Sequence, residues 1–346
     1  MASQSVEELR ERLREIFQRE TPPDAARFME TIKAARHVLN EESVSARPPD
    51  ANGNAGGLVT LSRGIPTLIM PDLHARMDFF IRVLDYEIED GGKAIDLLWD
   101  GRAQAVCVGD GVHSEARALV RWREAFKEFR EGYRRHRNMD EEMRESLGVM
   151  EMVMEAVRCF PDNFHFLKGN HENIANELGG GNFPFRKFAL EGLMVLEYMR
   201  KFYGEELLRE YALFEKDLPL LAMGRGFLVS HAEPAAFFSR EDVIEYRSRP
   251  EVVSGLTWTD NGQAEKDSVR RMLLHFLGEE EGRNGLYFGG HRPVSGGFAL
   301  RAEGRYVQIH DPDRFVIAHL PAEGDMDLYR DIRPLDGRPL MTGTEI

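Results

Sequence analysis

Residues 164–172 read Phe-His-Phe-Leu-Lys-Gly-Asn-His-Glu, an apolar run that ends in glycine and then presents an amide, an imidazole and a carboxylate. A short strand with that ending places polar side chains at a sheet edge, where a rigid support can carry chemistry on a loop. Four other strand-like runs end in the same manner. Ile65-Pro-Thr-Leu-Ile-Met70 is followed by Asp72 and His74, and Ala105-Val-Cys-Val108 by Gly109 and Asp110. Gly226-Phe-Leu-Val-Ser230 precedes His231, and Leu286-Tyr-Phe288 leads through Gly289 and Gly290 to His291. One Asp or His after a strand is ordinarily a turn residue or a satisfied core group. Five strand ends that deliver two Asp, one Asn and four His in order have a shared use. Oxygen and imidazole donors without thiolate suit Mn, Fe, Zn or Mg better than a soft metal.

Length and composition bound the rest. With 346 residues and 42% hydrophobic content, the chain can bury a substantial core in one large domain or two modest ones. No apolar run approaches the ~18–20 residues that a membrane helix requires. The N-terminus is acidic and polar where a secretory signal would be basic and then apolar, so a soluble cytoplasmic protein with no membrane partner is expected. Two cysteines, Cys107 in a predicted core strand and Cys159 at a helix end, are too few for a disulfide framework and lack metal-ligand spacing. The net charge of −14 argues against nucleic acid as a partner, because affinity for a phosphate backbone comes from clustered Lys and Arg.

Along the chain, Ser5 and Glu8 form a capping-box pattern, and Leu9, Leu13 and Phe17 recur at helical spacing, which predicts a helix over 6–19. A second helix is expected from Asp24 to about Asn40, then a loop over 44–64 rich in Pro and Gly. Residues 1–60 thus read as a helical extension and linker, most simply a strap across the domain that follows. Phe79, Phe80, Val83 and Leu84 mark a helix after His74. The stretch between Asp110 and Asn170 reads as two helices, about 115–136 and 140–159, with Trp122, Phe126, Phe129 and Tyr133 as a buried stripe. The first also carries Arg117, Arg121, Arg123, Lys127, Arg130, Arg134, Arg135 and Arg137, either a solvated face or a basic arm over the site. The runs 298–300, 306–309 and 315–319 read as an antiparallel meander.

The order D-x-H, G-D, G-N-H-E, H, G-H resembles the calcineurin-like metallophosphoesterases. Phe214-Glu-Lys-Asp-Leu-Pro-Leu220 and Gly255-Leu-Thr-Trp-Thr-Asp260 look like segments of the phosphoprotein phosphatase branch. The resemblance covers roughly residues 65–320. It implies an α/β fold, an αββα sandwich of two mixed sheets flanked by helices. The corresponding domain organisation is an extension over 1–60, a catalytic domain over 61–325 with a helical insertion at about 115–160, and a tail over 326–346. It further implies that Asp72, His74 and Asp110 bind one divalent cation and that Asp110, Asn170, His231 and His291 bind a second. Manganese is the first choice, with Fe, Zn or Mg as alternatives. A hydroxide bridging the two ions would attack the phosphorus, and His171 would protonate the leaving oxygen, work that suits an imidazole at neutral pH. The implied activity is hydrolysis of phosphomonoesters, on phosphoproteins or small molecules. In an acidic protein the cations would supply the positive charge such substrates need. The alternatives are a dinucleoside polyphosphate or nucleotide hydrolase and a metal-binding pseudophosphatase scaffold. Oligomeric state is not legible.

The chain departs from the family pattern in the second motif. Where relatives read G-D-x-V-D-R-G, residues 109–115 are Gly-Asp-Gly-Val-His-Ser-Glu. His113 replaces the Asp that orients the general-acid histidine, and Ser114 replaces a phosphate-gripping Arg. Phosphate contacts would then fall to Arg76, Arg292 or Arg186, to Arg270 or Arg271 as the match to a second family arginine downstream of Trp258, and to His113 itself. His37, His136, His165, His275 and His319 have no motif around them and read as structural. His310, after the strand ending at Ile309, either lines the site or makes a turn.

Overall fold

The computed structural model describes residues 5–88 and 91–338. Two mixed sheets lie face to face. One has five strands in the order Ile332–Pro334, Val316–Leu320, Thr67–Met70, Gln104–Cys107 and Phe164–Phe166. The last three of these run parallel to one another, and the first two are antiparallel additions. The other has six strands in the order Leu58–Thr60, Leu221–Gly224, Phe227–Ser230, Leu286–Gly289, Tyr306–Gln308 and Ala299–Arg301. Phe227–Ser230, Leu286–Gly289 and Tyr306–Gln308 are parallel within it.

The period-two alternation of a strand explains why both faces of each sheet are apolar. Ile69, Val106, Val108 and Leu167 point inward and meet Ala222, Val229, Phe288 and Val307 from the opposite sheet, forming the core between the layers. Their neighbours Leu68, Met70, Ala105, Cys107, Phe164 and Phe166 point outward, under helices Met77–Leu84, Arg137–Cys159 and Gly204–Asp217. Leu58, Leu221, Leu228, Tyr287 and Tyr306 face the other way, under helices Pro250–Thr257 and Ser268–Gly282. Helix, sheet, sheet, helix is therefore the layer order, as the fold class requires.

The first helix runs Val6–Gln18, with the Ser5 hydroxyl accepting from Glu8 N, and the second Ala25–Asn40, capped by Asp24. Leu9, Leu13, Ile16, Phe28, Ile32, Ala35 and Leu39 are buried in the same core as the outer face of the five-stranded sheet. Two expectations need correction. The stretch 44–64 contains the strand Leu58–Thr60, which pairs in parallel with Leu221–Gly224. It is led there by Arg47, a buried guanidinium that donates to Gly56 O and Asp217 O and pairs with Glu42 at 2.7 Å. The last three runs are also not one meander: 299–301 and 306–308 are antiparallel in the six-stranded sheet, but 316–320 crosses to pair with 67–70. Alternation alone cannot say which of two apolar sheets a strand joins.

In the expected tail, residues 328–331 form a short helix and 332–334 an edge strand, while residues 339–346 lie outside the described residues. Among the described residues no helix is long and apolar enough to cross a membrane. Cys107 is buried and Cys159 partly buried.

Candidate metal centre

The parallel strands of both sheets end at one edge, and the loops that follow bring the singled-out side chains together, the usual location for chemistry in α/β sheets. Asp110 lies at the middle. Its Oδ2 is 3.6 Å from His74 Nε2 and 3.8 Å from His171 Nε2. Its Oδ1 is 3.5 Å from His231 Nε2, on the other side. Asp72 Oδ1 is 3.7 Å from His231 Nδ1, and Asp72 Oδ2 is 3.6 Å from His310 Nδ1. Asn170 Oδ1 is 2.9 Å from His231 Nε2 and 2.8 Å from His291 Nδ1. All six residues assigned to cations by the family resemblance therefore converge, although they span positions 72 to 291 of the chain.

The loops are shaped for this convergence at some local cost. His74, Asp110, His113, Glu115 and His291 all have positive φ, between 42° and 78°, a left-handed conformation that non-glycine residues enter rarely. Gly109 has φ +111°, and a Cβ there would lie 2.5 Å from Gly169 N; a Cβ on Gly290 would lie 2.0 Å from Asp72 Oδ1. The glycines that close these strands are thus where one loop touches the next. Glu172 ties them: its carboxylate accepts from Gly169 N at 2.7 Å, Asp110 N at 2.9 Å and Gly111 N at 2.8 Å. The fourth residue of Gly-Asn-His-Glu serves the backbone.

The electrostatics fit a cation. Burial, with Asp72 and Glu172 adding to it, pushes the Asp110 carboxyl well above its ordinary range. Burial holds His74, His171, His231 and His291 below theirs, which keeps the imidazoles in the neutral form that ligates metal. The rear nitrogens of two of them are oriented: His74 Nδ1 donates to His113 O at 2.9 Å, and His231 Nδ1 to Val108 O at 3.0 Å. Among the described residues, the buried His310 Nδ1, which faces Asp72 Oδ2, has no hydrogen-bond partner. Carboxylates, an amide and neutral imidazoles gathered in this way, with that buried donor atom otherwise unsatisfied, form a donor set suited to divalent cations.

His171, the residue matched to the general acid, has a buried Nδ1 without a hydrogen-bond partner among the described residues. Phe185 stacks on its ring at 4.5 Å, and His113 lies 5.1 Å away. His113 is itself stacked on Trp122 at 4.9 Å, with its Nε2 3.9 Å from Glu191 Oε1. Where the family resemblance implies a carboxylate at position 113, the chain therefore has an imidazole with a carboxylate behind it.

The arginines separate. Arg76 is buried and donates to Pro312 O at 2.8 Å and to Glu115 at 3.3 Å. Arg292, half exposed, pairs with Asp260 at the mouth beside His291. Arg270 is exposed, pairs with Asp267 at 3.5 Å, and lines a cavity of about 770 Å³ with Glu233 and Lys266, apart from the gathered ligands. Arg186 is exposed. At the start of the basic stretch the charges meet the neighbouring helix: Arg121, of helix Leu119–Arg130, pairs with Glu142 and Glu145, each at 2.7 Å, and Arg117, in the turn before it, with Glu145 at 2.9 Å.

Two residues join the site that sequence alone left open or unremarked. His310 packs against His74 and Asp72, inside the cluster. Glu115 is buried, with Oε1 3.3 Å from His310 Nε2 and 3.5 Å from His74 Nε2. His310 follows a strand, as the other ligands do, so its position carried a signal. Glu115 follows none.

No protein-family model matches the chain, and no curated protein matches its sequence. Solved structures do. A serine/threonine phosphatase from Saccharomyces cerevisiae, described as similar to human phosphatase PP5, is 13% identical, with 90% of this chain and 89% of that one aligned at a TM-score of 0.54. A cold-active protein-tyrosine phosphatase of a psychrophile, Shewanella sp., is 12% identical, covering 81% of this chain and 82% of that one at a TM-score of 0.42. The layer order and the match to the yeast phosphatase define the fold, a mixed α/β sandwich of two sheets flanked by helices, the arrangement that the calcineurin-like resemblance implies.

Proposed function

We propose that the chain is a metal-dependent phosphoesterase that hydrolyses phosphomonoesters at a pair of divalent cations. Asp72, His74, Asp110 and His310 would hold one cation, and Asp110, Asn170, His231 and His291 the other. Bound there, the pair supplies charge neutralisation for a phosphoryl group and a water acidic enough to attack it at neutral pH. The remaining work belongs to side chains. His171, beside Asp110, delivers a proton to the leaving oxygen. Phe185 holds its ring in plane and keeps solvent off one face. Arg292 at the mouth is the guanidinium placed to meet phosphate, in exchange for Asp260. Arg76 is engaged by Glu115 and a backbone carbonyl, so its part is structural.

The observation that carries this reading is the two-sided setting of Asp110: its oxygens face different histidines, at 3.6 Å and 3.5 Å, as a carboxylate shared by two ions must. Manganese is the cation to load first, since the donor set lacks thiolate. Phosphoproteins are the first substrate class to try, the yeast neighbour being described as a protein phosphatase. Cytoplasmic placement is part of the same proposal.

With Mn²⁺ added, the protein should hydrolyse p-nitrophenyl phosphate, and Asp110→Asn should reduce the rate to background. His171→Asn should cost roughly 10²–10⁴-fold on alkyl phosphates, the usual worth of general acid catalysis, and much less on p-nitrophenyl phosphate, whose leaving group needs little protonation. Metal-loaded protein that binds Mn²⁺ but turns over neither substrate would leave a scaffold in place of an enzyme.

A further inference from the structure

The seventh residue of the second motif is Gly in relatives and Glu115 here, and nothing in the proposed hydrolysis uses it. It is 3% exposed and sits at φ +52°, a conformation a Glu adopts at a cost. Among the described residues, four cationic or titratable groups lie within 4.0 Å of its carboxylate. Oε1 lies 3.3 Å from His310 Nε2, 3.5 Å from His74 Nε2 and 3.5 Å from Lys187 Nζ, and Oε2 lies 3.3 Å from Arg76 Nη2. The contact with His310 has the consequence. With Nε2 engaged by Glu115, the imidazole turns its other nitrogen, buried and otherwise unpartnered, to within 3.6 Å of Asp72 Oδ2. His74 and His231 have their rear nitrogens on backbone carbonyls, the common arrangement. His310 has a carboxylate there, which fixes the tautomer more firmly and makes the ligating nitrogen a stronger donor.

Resting on the cation pair proposed above, we infer that Glu115 is a positioning residue of the first cation site: by accepting from His310 Nε2–H, it sets His310 Nδ1 as a fourth donor beside Asp72, His74 and Asp110. Arg76, on Oε2, and Lys187, on Oε1 beside His310, hold the carboxylate in place. The substitution of Glu for Gly at position 115 thus couples the altered second motif to the last strand of the six-stranded sheet that reaches the site.

The test is Mn²⁺ binding by titration calorimetry on the full chain stripped of metal, with His310→Ala and His231→Ala marking the two sites. The wild type should take up two ions. Glu115→Gln and Glu115→Ala should weaken one binding step about 10–100-fold, the usual effect of losing such a partner. That step should be the one lost in His310→Ala, and the step lost in His231→Ala should stay unchanged. Glu115→Ala combined with His310→Ala should bind no more weakly than His310→Ala. In Co²⁺-loaded protein, a hyperfine-shifted exchangeable proton absent from His310→Ala should also vanish in Glu115→Ala. Wild-type affinity at both steps in Glu115→Gln, equal weakening of both, or additive losses in the double variant would overturn the inference. So would recovery of affinity when Arg76→Met is added to Glu115→Gln, which would mean that Glu115 only neutralises Arg76. Failure of the wild type to bind a pair of ions would instead remove the proposed function on which this rests. Should Glu115→Ala fold poorly by circular dichroism, the near-isosteric Gln variant decides.

Discussion

At the scale of single residues, the second motif shows how an altered position can be supported from elsewhere. His113 stands where the family resemblance implies an Asp, and behind it Glu191 accepts hydrogen bonds from Lys187 N at 2.9 Å and Ala189 N at 2.8 Å, and from Phe188 N at 2.5 Å. Burial alone would raise the Glu191 carboxyl. The His113 imidazole and the backbone N–H groups outweigh it and bring it down to about 2, from an ordinary value near 4.5. A group whose pKa is lower folded than unfolded adds stability above the unfolded value, and that stability is lost as pH falls through the folded value. Glu191→Gln should therefore melt at a lower temperature than the wild type at pH 7. Melting curves recorded from pH 7 downward should show the gap closing between about 4.5 and about 2. A gap independent of pH would mean that the carboxylate's charge is immaterial there.

At the scale of elements, the N-terminal helices do more than cover a surface. Arg12 and Arg19 of the first helix and its C-cap reach Glu151, a buried carboxylate on helix Arg137–Cys159; Arg19 Nη2 is 2.7 Å from it, and Arg12 also meets Glu155 at 3.3 Å. That same long helix packs against the strand Phe164–Phe166, which leads to Asn170 and His171. Replacing both arginines with Met strands a buried charge, which typically costs about 3–5 kcal/mol. Adding Glu151→Met should return most of it, because an apolar side chain of similar volume removes the uncompensated charge. Urea denaturation of the double and triple variants measures both steps. The acidic partners of Arg117 and Arg121 on the long helix likewise explain why the start of the basic helix faces protein, with Arg123, Lys127, Arg130, Arg134, Arg135 and Arg137 left on the solvent side.

At the scale of the molecule, the loops at the functional edge of the five-stranded sheet gather buried like charges. Asp72, Asp110 and Glu172 are all buried within the same few loops, and carboxylates so placed repel until a cation offsets them. Cation binding should therefore be a term in global stability. Mn²⁺ at about 100 times its dissociation constant should stabilise the fold by about 2.7 kcal/mol per site, seen as a rise in Tm that chelator reverses. Asp110→Asn should abolish most of that rise while melting no earlier than the wild type in chelator, since it removes a repulsive charge. A Tm unchanged by metal in the wild type would contradict a cation site in this cluster.

The sequence by itself determined the parts with local causes. Short continuous apolar runs ending in Gly, Asp, Asn or His announced the strands and the residues at their ends, and the helical repeat of Leu9 and Leu13 announced the first helix. The resemblance in those strand ends supplied the layer order. Tertiary structure alone decided the assignments that depend on which surfaces meet. It placed Leu58–Thr60 beside Leu221–Gly224 and sent Val316–Leu320 to the opposite sheet, because both sheets offer apolar edges and period alone does not choose between them. It separated Arg292 from Arg270, chemically equal in the sequence. It also set Glu115 against His310, 195 positions apart, a pairing created by the meeting of two loops from different sheets, which no spacing along the chain encodes.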